Sequence, residues 1–265
     1  MNASRGAIAL FAQGLALQVG ERLKRRFLEA RNHPRRKADR SLVTDADLEA
    51  DGLLTTALAA AFSGVPVLSE ERTTMLPDDV AEAWVIDPLD GTTNFTLGLP
   101  MWGTLLAFVE NGQPTVGVAH FPLLEEVYVA IRGGGATRNG VPIHTSEADP
   151  AHNTAFALVC SRSLHRYRLR WRWKLRILGS AGYEMAMVAR GVAIAALEST
   201  PKVWDLAAPA LLVSEAGGHW DVLEDEPPFP LRPGVDYRER DFPSLASASQ
   251  PLWQNLRAGI TPKNA

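Results

Sequence analysis

Asp87 and Asp90 stand three residues apart at the end of an apolar run, Ala83-Trp84-Val85-Ile86, and Gly91-Thr92-Thr93-Asn94-Phe95 follows them directly. The run reads as a strand. Pro88 removes a backbone donor, so the ladder is expected not to continue past Asp87. Gly91 permits a sharp turn, after which the N–H groups of Gly91, Thr92 and Thr93 are free to point at an anion. Two acids beside an anion-binding turn repel each other and would repel a phosphate. A divalent cation between them removes the conflict, and hard oxygen donors with room for water suit Mg2+. A bare Asp-x-x-Asp is more simply an acidic turn that caps a helix. The nine-residue string is far more specific than that.

Further acids have their own ordinary readings. Glu70 and Glu71 close a short apolar segment, 65–68. Alone they are solvated charges, but two strands that both end in acids favour one shared site at a sheet edge. Asp205 lies in Trp204-Asp205-Leu206-Ala207-Ala208, and Glu215-Ala216-Gly217-Gly218 closes the same segment. An isolated Asp there is a helix N-cap. Asp47 follows Val43-Thr44-Asp45-Ala46, and Thr44 with an acid three residues on has the form of a capping box.

The elements that must position these groups follow from periodicity. Ile8, Phe11, Leu15, Val19, Leu23 and Phe27 form a helical stripe behind Ser4 as N-cap, and the helix is expected to end near Asn32-His33-Pro34. A second helix spans about 45–62, with Leu48, Leu54, Leu58 and Phe62 on its buried face. Segments 104–109, 115–120 and 127–131 read as a meander of strands, with Asn111-Gly112 as a hairpin turn. The second half alternates: strand 156–160, strand 167–177, helix 181–190, strand 193–197, helix 205–215 and strand 244–247. Pro209 is tolerated only near a helix start, which places Asp205 at or just before the N-terminus of its helix. Segment 225–233, with four prolines, reads as a surface loop. The lobe boundary is placed near 141–150, giving lobes 1–140 and 141–265.

Composition excludes several classes. The chain has 265 residues, 46% apolar and 22% charged, with a net charge of −3. Nothing in this balance calls for a nucleic-acid or membrane partner. Residues 7–19 are too short and too polar to span a bilayer, and charged residues follow where a signal-peptide cleavage site should be. The single cysteine, Cys160, sits in an apolar run and reads as a small core residue, so a reducing cytoplasm is the expected setting.

Lys37-x-Asp39-x-Ser41-x-Val43-Thr44-x-x-Asp47, then Glu70-Glu71, then the Asp87 to Phe95 string, then Trp204-Asp205-Leu206-Ala207-Ala208 with Glu215-Ala216-Gly217-Gly218, resemble the inositol monophosphatase family in order and approximate spacing. The resemblance covers about 37–218. It implies an α/β (α+β) fold, the layered α-β-α-β-α sandwich of the sugar-phosphatase type. It implies Mg2+-dependent, lithium-sensitive hydrolysis of a small phosphate monoester, by a homodimer, with two or three ions. It implies Glu70, Asp87, Asp90, Asp205 and the Leu89 carbonyl as metal ligands, and Asp47, Thr92 and Glu70 as the catalytic residues. Gly91, Thr92 and Thr93 would cradle the phosphate, and Gly179-Ser180-Ala181 and Glu198 would meet the alcohol. The implied rivals on the same fold are histidinol phosphate, fructose 1,6-bisphosphate and adenosine 3′-phosphates. A binding relative without catalysis is a different class, and it is disfavoured because the acid set is complete.

Two departures bear on the leaving group. Gly191-Val192-Ala193 lacks the Asp that the family places after its Gly, and Gly182-Tyr183-Glu184 is bulkier and more charged than the usual run. Lys37-Ala38-Asp39-Arg40-Ser41 and Trp102-Gly103-Thr104-Leu105 resemble the histidinol-phosphatase branch. One segment lies outside the pattern: Arg166, Arg168, Arg170, Arg172, Lys174 and Arg176 alternate with Tyr167, Leu169, Trp171, Trp173 and Leu175. Strict period two makes this a strand with one basic face, read as a solvated face in preference to a polyanion-binding one. The six histidines form no metal-spaced cluster, and His219 reads as a surface residue.

Overall fold

The alternating periodicities assemble into five layers, helix–sheet–helix–sheet–helix, in the computed structural model, which describes residues 3–29, 35–36, 42–78, 80–146, 154–224 and 226–263. In chain order the elements are α1 (Arg5–Leu28), β1 (Arg35–Arg36), β2 (Leu42–Val43), α2 (Asp45–Ala61), β3 (Val67–Ser69), β4 (Glu82–Asp90), α3 (Thr92–Leu97), β5 (Gly103–Glu110), β6 (Gln113–Phe121), β7 (Glu126–Ile131), β8 (Gly135–Arg138), β9 (Val141–Pro142), β10 (Phe156–Val159), α4 (Ser161–Arg166), β11 (Tyr167–Leu169), β12 (Lys174–Arg176), α5 (Ala181–Ala189), β13 (Ala195–Glu198), α6 (Val203–Glu215), β14 (His219–Val222), β15 (Ser244–Ser247), α7 (Gln250–Ala258) and β16 (Ile260–Pro262). Lys37, Asp39, Ser41 and the expected helix stop at 32–34 lie outside the described residues; α1 is helical to Leu28.

One sheet runs β3-β4-β5-β6-β7-β8-β9 and the other β12-β10-β13-β15-β14. Side chains along β4 alternate between two cores. Trp84 and Ile86 pack under α1 and α2 with Leu15, Val19, Leu54 and Leu58. Ala83 and Val85 face the middle layer of α5 and α6. The far face of the second sheet is covered by α7 through Leu252 and Leu256. Asn111 and Gly112, both at positive φ, make the β5–β6 turn, as the Asn-Gly pair predicts. Gly117 lets α6 lie directly on β6: a Cβ there would come within 3.1 Å of the Ala208 Cα. Close packing at this point fixes α6, and Asp205 with it.

The structure corrects several expectations. Leu48 is 44% exposed, because the buried face of α2 runs through Asp47, Ala50, Asp51, Leu54 and Leu58. Two hydrogen-bonded acids occupy the place given to Leu48. The ladder does not end at Asp87, since β4 continues through Pro88 to Asp90 with a bulge. Asp205 lies inside the first turn of α6, with Val203 first and Pro209 seventh. A proline at that position leaves the Asp205 carbonyl without its helical donor. Cys160 is not a core strand residue: it is half-buried and caps α4.

Segment 167–177 is not one strand. β11 pairs with β16 and β12 with β10, in different sheets. Between them Arg170 N–H donates to the Gly259 carbonyl and Trp171 Nε1–H to the Leu256 carbonyl, which bends the chain away from one ladder. The alternation itself survives: Leu169, Trp171, Trp173 and Leu175 pack on the α7 core, and Arg168, Arg170, Arg172, Lys174 and Arg176 are exposed. His219 is half-buried, its ring edge-on to Trp253 at 5.4 Å. The proline-rich loop is anchored by buried Phe229 and Leu231 rather than lying free on the surface.

Candidate active site

The bulge in β4 is what gathers the first two acids. In a regular strand, residues three apart point to opposite faces. Here Asp87 pairs with Leu105 and Asp90 with Gly103, so β4 carries one extra residue against two on β5. That extra residue turns Asp90 to the side of Asp87. Pro88 tolerates the irregularity, because its missing N–H is not needed there, and its carbonyl accepts from Thr104 Oγ1 at 3.0 Å. Both acids then face the middle layer, where α6 presents Asp205. One carboxylate oxygen from each of Asp87, Asp90 and Asp205 lies within 4.8 Å of the others. Glu70, half-buried in the turn after β3, lies outside that tight group. Its charge nevertheless bears on Asp47, Asp87, Asp90 and Asp205 alike.

Each acid of the group is held by neighbours. Leu89 N–H donates to Asp87 Oδ1 at 2.9 Å. Lys202 N–H donates to Asp205 Oδ2 at 2.7 Å. Asp90 Oδ2 accepts from Ser180 Oγ and from Gly182 N–H, the latter at 3.0 Å. Ser180 is also the N-cap of α5 and accepts from Tyr183 N–H at 3.2 Å. The start of α5, with Ala181 as its first residue, is thereby fixed against Asp90.

Electrostatics show what the cluster lacks. Burial, then the charges of Glu70, Asp205 and Asp90, push Asp87 well above the carboxylate range. Asp205 is pushed up to about 8 by burial, then by Glu70 and Asp90, against the Lys202 hydrogen bond. Asp90 rises to about 6 from burial, against its hydrogen bonds from Ser180 and Gly182. Converging carboxylates without a counter-charge must hold protons or a cation. All the donors are hard oxygens around a small space, so the residues fit Mg2+.

Asp47 uses its two oxygens on different donors. Its Oδ2 accepts from Thr44 N–H at 2.7 Å and from Thr44 Oγ1 at 2.5 Å, completing the capping box. Its Oδ1 accepts from Thr92 Oγ1 at 2.9 Å, and that hydroxyl also lies 3.0 Å from the Leu89 carbonyl. Burial raises Asp47 to about 6, against the hydrogen bonds from Thr44 and Thr92. Gly91, at φ +84°, caps α3, and a Cβ there would come within 2.8 Å of the Met101 carbonyl. Thr93 is exposed next to it.

Glu198 ends β13 and is buried beside Glu184, with which it shares a hydrogen bond. Burial, then Glu184 and Cys160, raise Glu198 well above its ordinary value. Glu184 Oε1 accepts from Leu178 N–H at 2.8 Å and Gly179 N–H at 3.1 Å, so it holds the turn that delivers Ser180. Glu184 was visible in the sequence only as an unusual charge in a small-residue run. Asp51 gave no signal at all.

The sequence profile of the inositol monophosphatase family matches residues 6–254. An inositol-1-monophosphatase from Mesorhizobium japonicum is 31% identical over 226 residues, 81% of this chain and 85% of the relative. A histidinol-phosphatase from Chlorobaculum parvum is 32% identical over 239 residues, 84% of this chain and 85% of the relative. Among solved structures, the Thermotoga maritima IMPase superposes with a TM-score of 0.80 at 27% identity, covering 94% of each chain. With the five layers and the acid cluster in place, these matches show that the chain belongs to the inositol monophosphatase family, a family of phosphate-monoester hydrolases.

Proposed function

We propose that this chain hydrolyses a small phosphate monoester with Mg2+ held by Glu70, Asp87, Asp90, Asp205 and the Leu89 carbonyl, two or three ions in all. The observation that carries the reading is the group of Asp87, Asp90 and Asp205 oxygens within 4.8 Å, all with raised pKa values and no cationic side chain among them. Bound Mg2+ supplies Lewis acidity, lowering the pKa of water and offsetting charge on the leaving oxygen. The Thr92 hydroxyl donates to Asp47 and keeps a lone pair for a hydrogen of the attacking water. Asp47, at about 6, is largely ionised at neutral pH and can take the proton that passes through Thr92. The N–H groups of Gly91, Thr92 and Thr93 face the phosphate, and Ser180, Ala181 and Glu198 face the alcohol.

The test is phosphate release from inositol 1-phosphate, histidinol phosphate, fructose 1,6-bisphosphate and adenosine 3′,5′-bisphosphate, each with Mg2+ and with EDTA. Release that needs Mg2+ is expected from at least one ester. Thr92→Val should lower kcat about 10²-fold or more with little change in KM, since it removes a proton path and not a binding contact. No release from any ester, by folded protein in ample Mg2+, would sink the reading. A second expectation concerns Gly182. A Cβ there would lie 2.8 Å from Asp90 Oδ2 and from Leu105, so Gly182→Ala should displace Asp90. Steady-state kinetics should show kcat lowered about 10²-fold, the usual cost of an ångström of misplacement.

The proposal extends to inhibition by lithium and to a cytoplasmic homodimer. Exposed Leu97 and Leu99, at the end of α3 beside the site, offer apolar surface to a second copy. The exposed arginines of 168–176 are read as a solvated face, because their aromatic neighbours are turned into the α7 core.

A further inference from the structure

We propose that Asp51 is a positioning residue for Glu70, a buried clamp on α2 that holds the Glu70 turn against the acid cluster. This rests on the reading of Glu70 as a Mg2+ ligand. Glu70 is the one carboxylate of the expected ligand set outside the tight group of Asp87, Asp90 and Asp205, and it sits in a half-buried turn rather than on a strand or helix. Something must hold that turn. Ser69 Oγ donates to Asp51 Oδ1 at 2.5 Å, and Arg72 Nε–H donates to Asp51 Oδ2. The two oxygens of one carboxylate therefore take the two flanks of Glu70-Glu71. Ser69 N–H closes the same turn onto the Thr73 carbonyl at 2.7 Å, and Glu71 N–H reaches Ser69 Oγ at 3.4 Å.

Asp51 is fully buried, while the Arg72 side chain is 57% exposed. A buried carboxylate is costly unless paired, and the next buried positions on this face of α2 are Leu54 and Leu58. An apolar residue at position 51 would serve the core at least as well. What Asp51 adds is a fixed distance. Asp47 and Asp51 are one turn apart on one helix face, so α2 carries both the partner of Thr92 and the clamp on Glu70. The spacing between the proton-accepting pair and the outlying ligand is thus set by a single rigid element.

The test uses the full chain with Asp51→Asn and Arg72→Gln, the second lying at the surface so that it folds even if the first does not. Mn2+ binding without substrate, by calorimetry or electron paramagnetic resonance, is expected to weaken about 10-fold in Asp51→Asn, the low end of the range for groups that orient metal ligands, and less, about 3-fold, in Arg72→Gln, which removes only one of the two arms. The half-saturating Mg2+ concentration should rise in parallel, with kcat at saturating Mg2+ within about 3-fold of the parent. A lower unfolding temperature with unchanged Mn2+ affinity in both variants would overturn the proposal and leave Asp51 a fold residue. A parent chain that binds no Mn2+ would instead overturn the Mg2+ reading itself, and the clamp with it.

Discussion

Asp90→Asn is expected to lower turnover of every phosphate monoester by at least about 10³-fold and, in EDTA, to raise the unfolding temperature. The two effects have opposite signs because they answer to the same charge. Asn keeps the shape of Asp, and its amide oxygen still accepts from Ser180 Oγ and Gly182 N–H, so α5 stays docked. What disappears is one negative charge from a buried group that already raises the pKa of Asp87 and Asp205. Without metal, that loss relieves repulsion and stabilises the fold. With substrate, it is expected to remove a ligand from the proposed Mg2+ centre, which would offset charge on the leaving oxygen. Steady-state phosphate release together with thermal unfolding in EDTA checks both halves. Activity above about a tenth of the parent would place the chemistry elsewhere.

The metal-free chain is expected to lose stability as pH rises from about 4 to 8, and Mg2+ is expected to restore it mainly at the upper end. Asp90 and Asp47 are raised from 3.8 to about 6, and Asp205 from 3.8 to about 8. Each folded pKa lies above its unfolded value, so across that window the folded chain holds protons that the unfolded chain has released. Their contribution is complete below the unfolded values and is lost as pH passes through the folded ones. Mg2+ takes the place of those protons. At pH 8 and a concentration near 100 times its dissociation constant, it should stabilise by about 2.7 kcal/mol. For a chain of this size that is a rise of roughly 5–10 °C. At pH 5 protons already fill the site, and the rise should be under about 2 °C. Scanning fluorimetry with and without Mg2+ at both pH values decides the matter. An unfolding temperature in EDTA that climbs with pH would contradict the assigned burial and repulsion.

Much of this site is legible in the sequence, and the boundary of legibility has physical causes. Asp87, Asp90 and Thr92 announce themselves because they stand where an apolar strand stops, and Asp205 because it stands where an apolar helix starts. Asp47 carries two readings, a capping-box residue and a catalytic partner of Thr92. The capping box is present, and the second oxygen accepts from Thr92, the contact that the catalytic reading requires. The bulge at Pro88 was not legible: a proline in a strand signals a break, and only the β5 register shows that the ladder resumes at Asp90. Asp51 could not be found because a polar residue in a helix has no preferred partner until the sheet turn arrives beside it. Leu48 was misplaced for the same reason, since apolar periodicity does not anticipate that paired acids will take the buried face of α2. The bend in 167–177 depends on backbone donors at 170 and a side-chain donor at 171 reaching the chain around 256–259, far along the sequence.

The extra residue in β4 makes the acid cluster a matter of strand register. Asp87 and Asp90 face the same way because an odd step along the strand is paired with an even step on β5. Running the same three-residue step as regular strand, without the bulge, would swing one carboxylate into the core beneath α1 and α2, whatever its chemistry. Deleting one residue between them would leave an even step that keeps both acids on one face with no bulge. Substitution tests the identity of these acids, while the bulge between them is a separate inheritance, and an engineered β4 should have its bulge and its register on β5 fixed before any side chain is chosen.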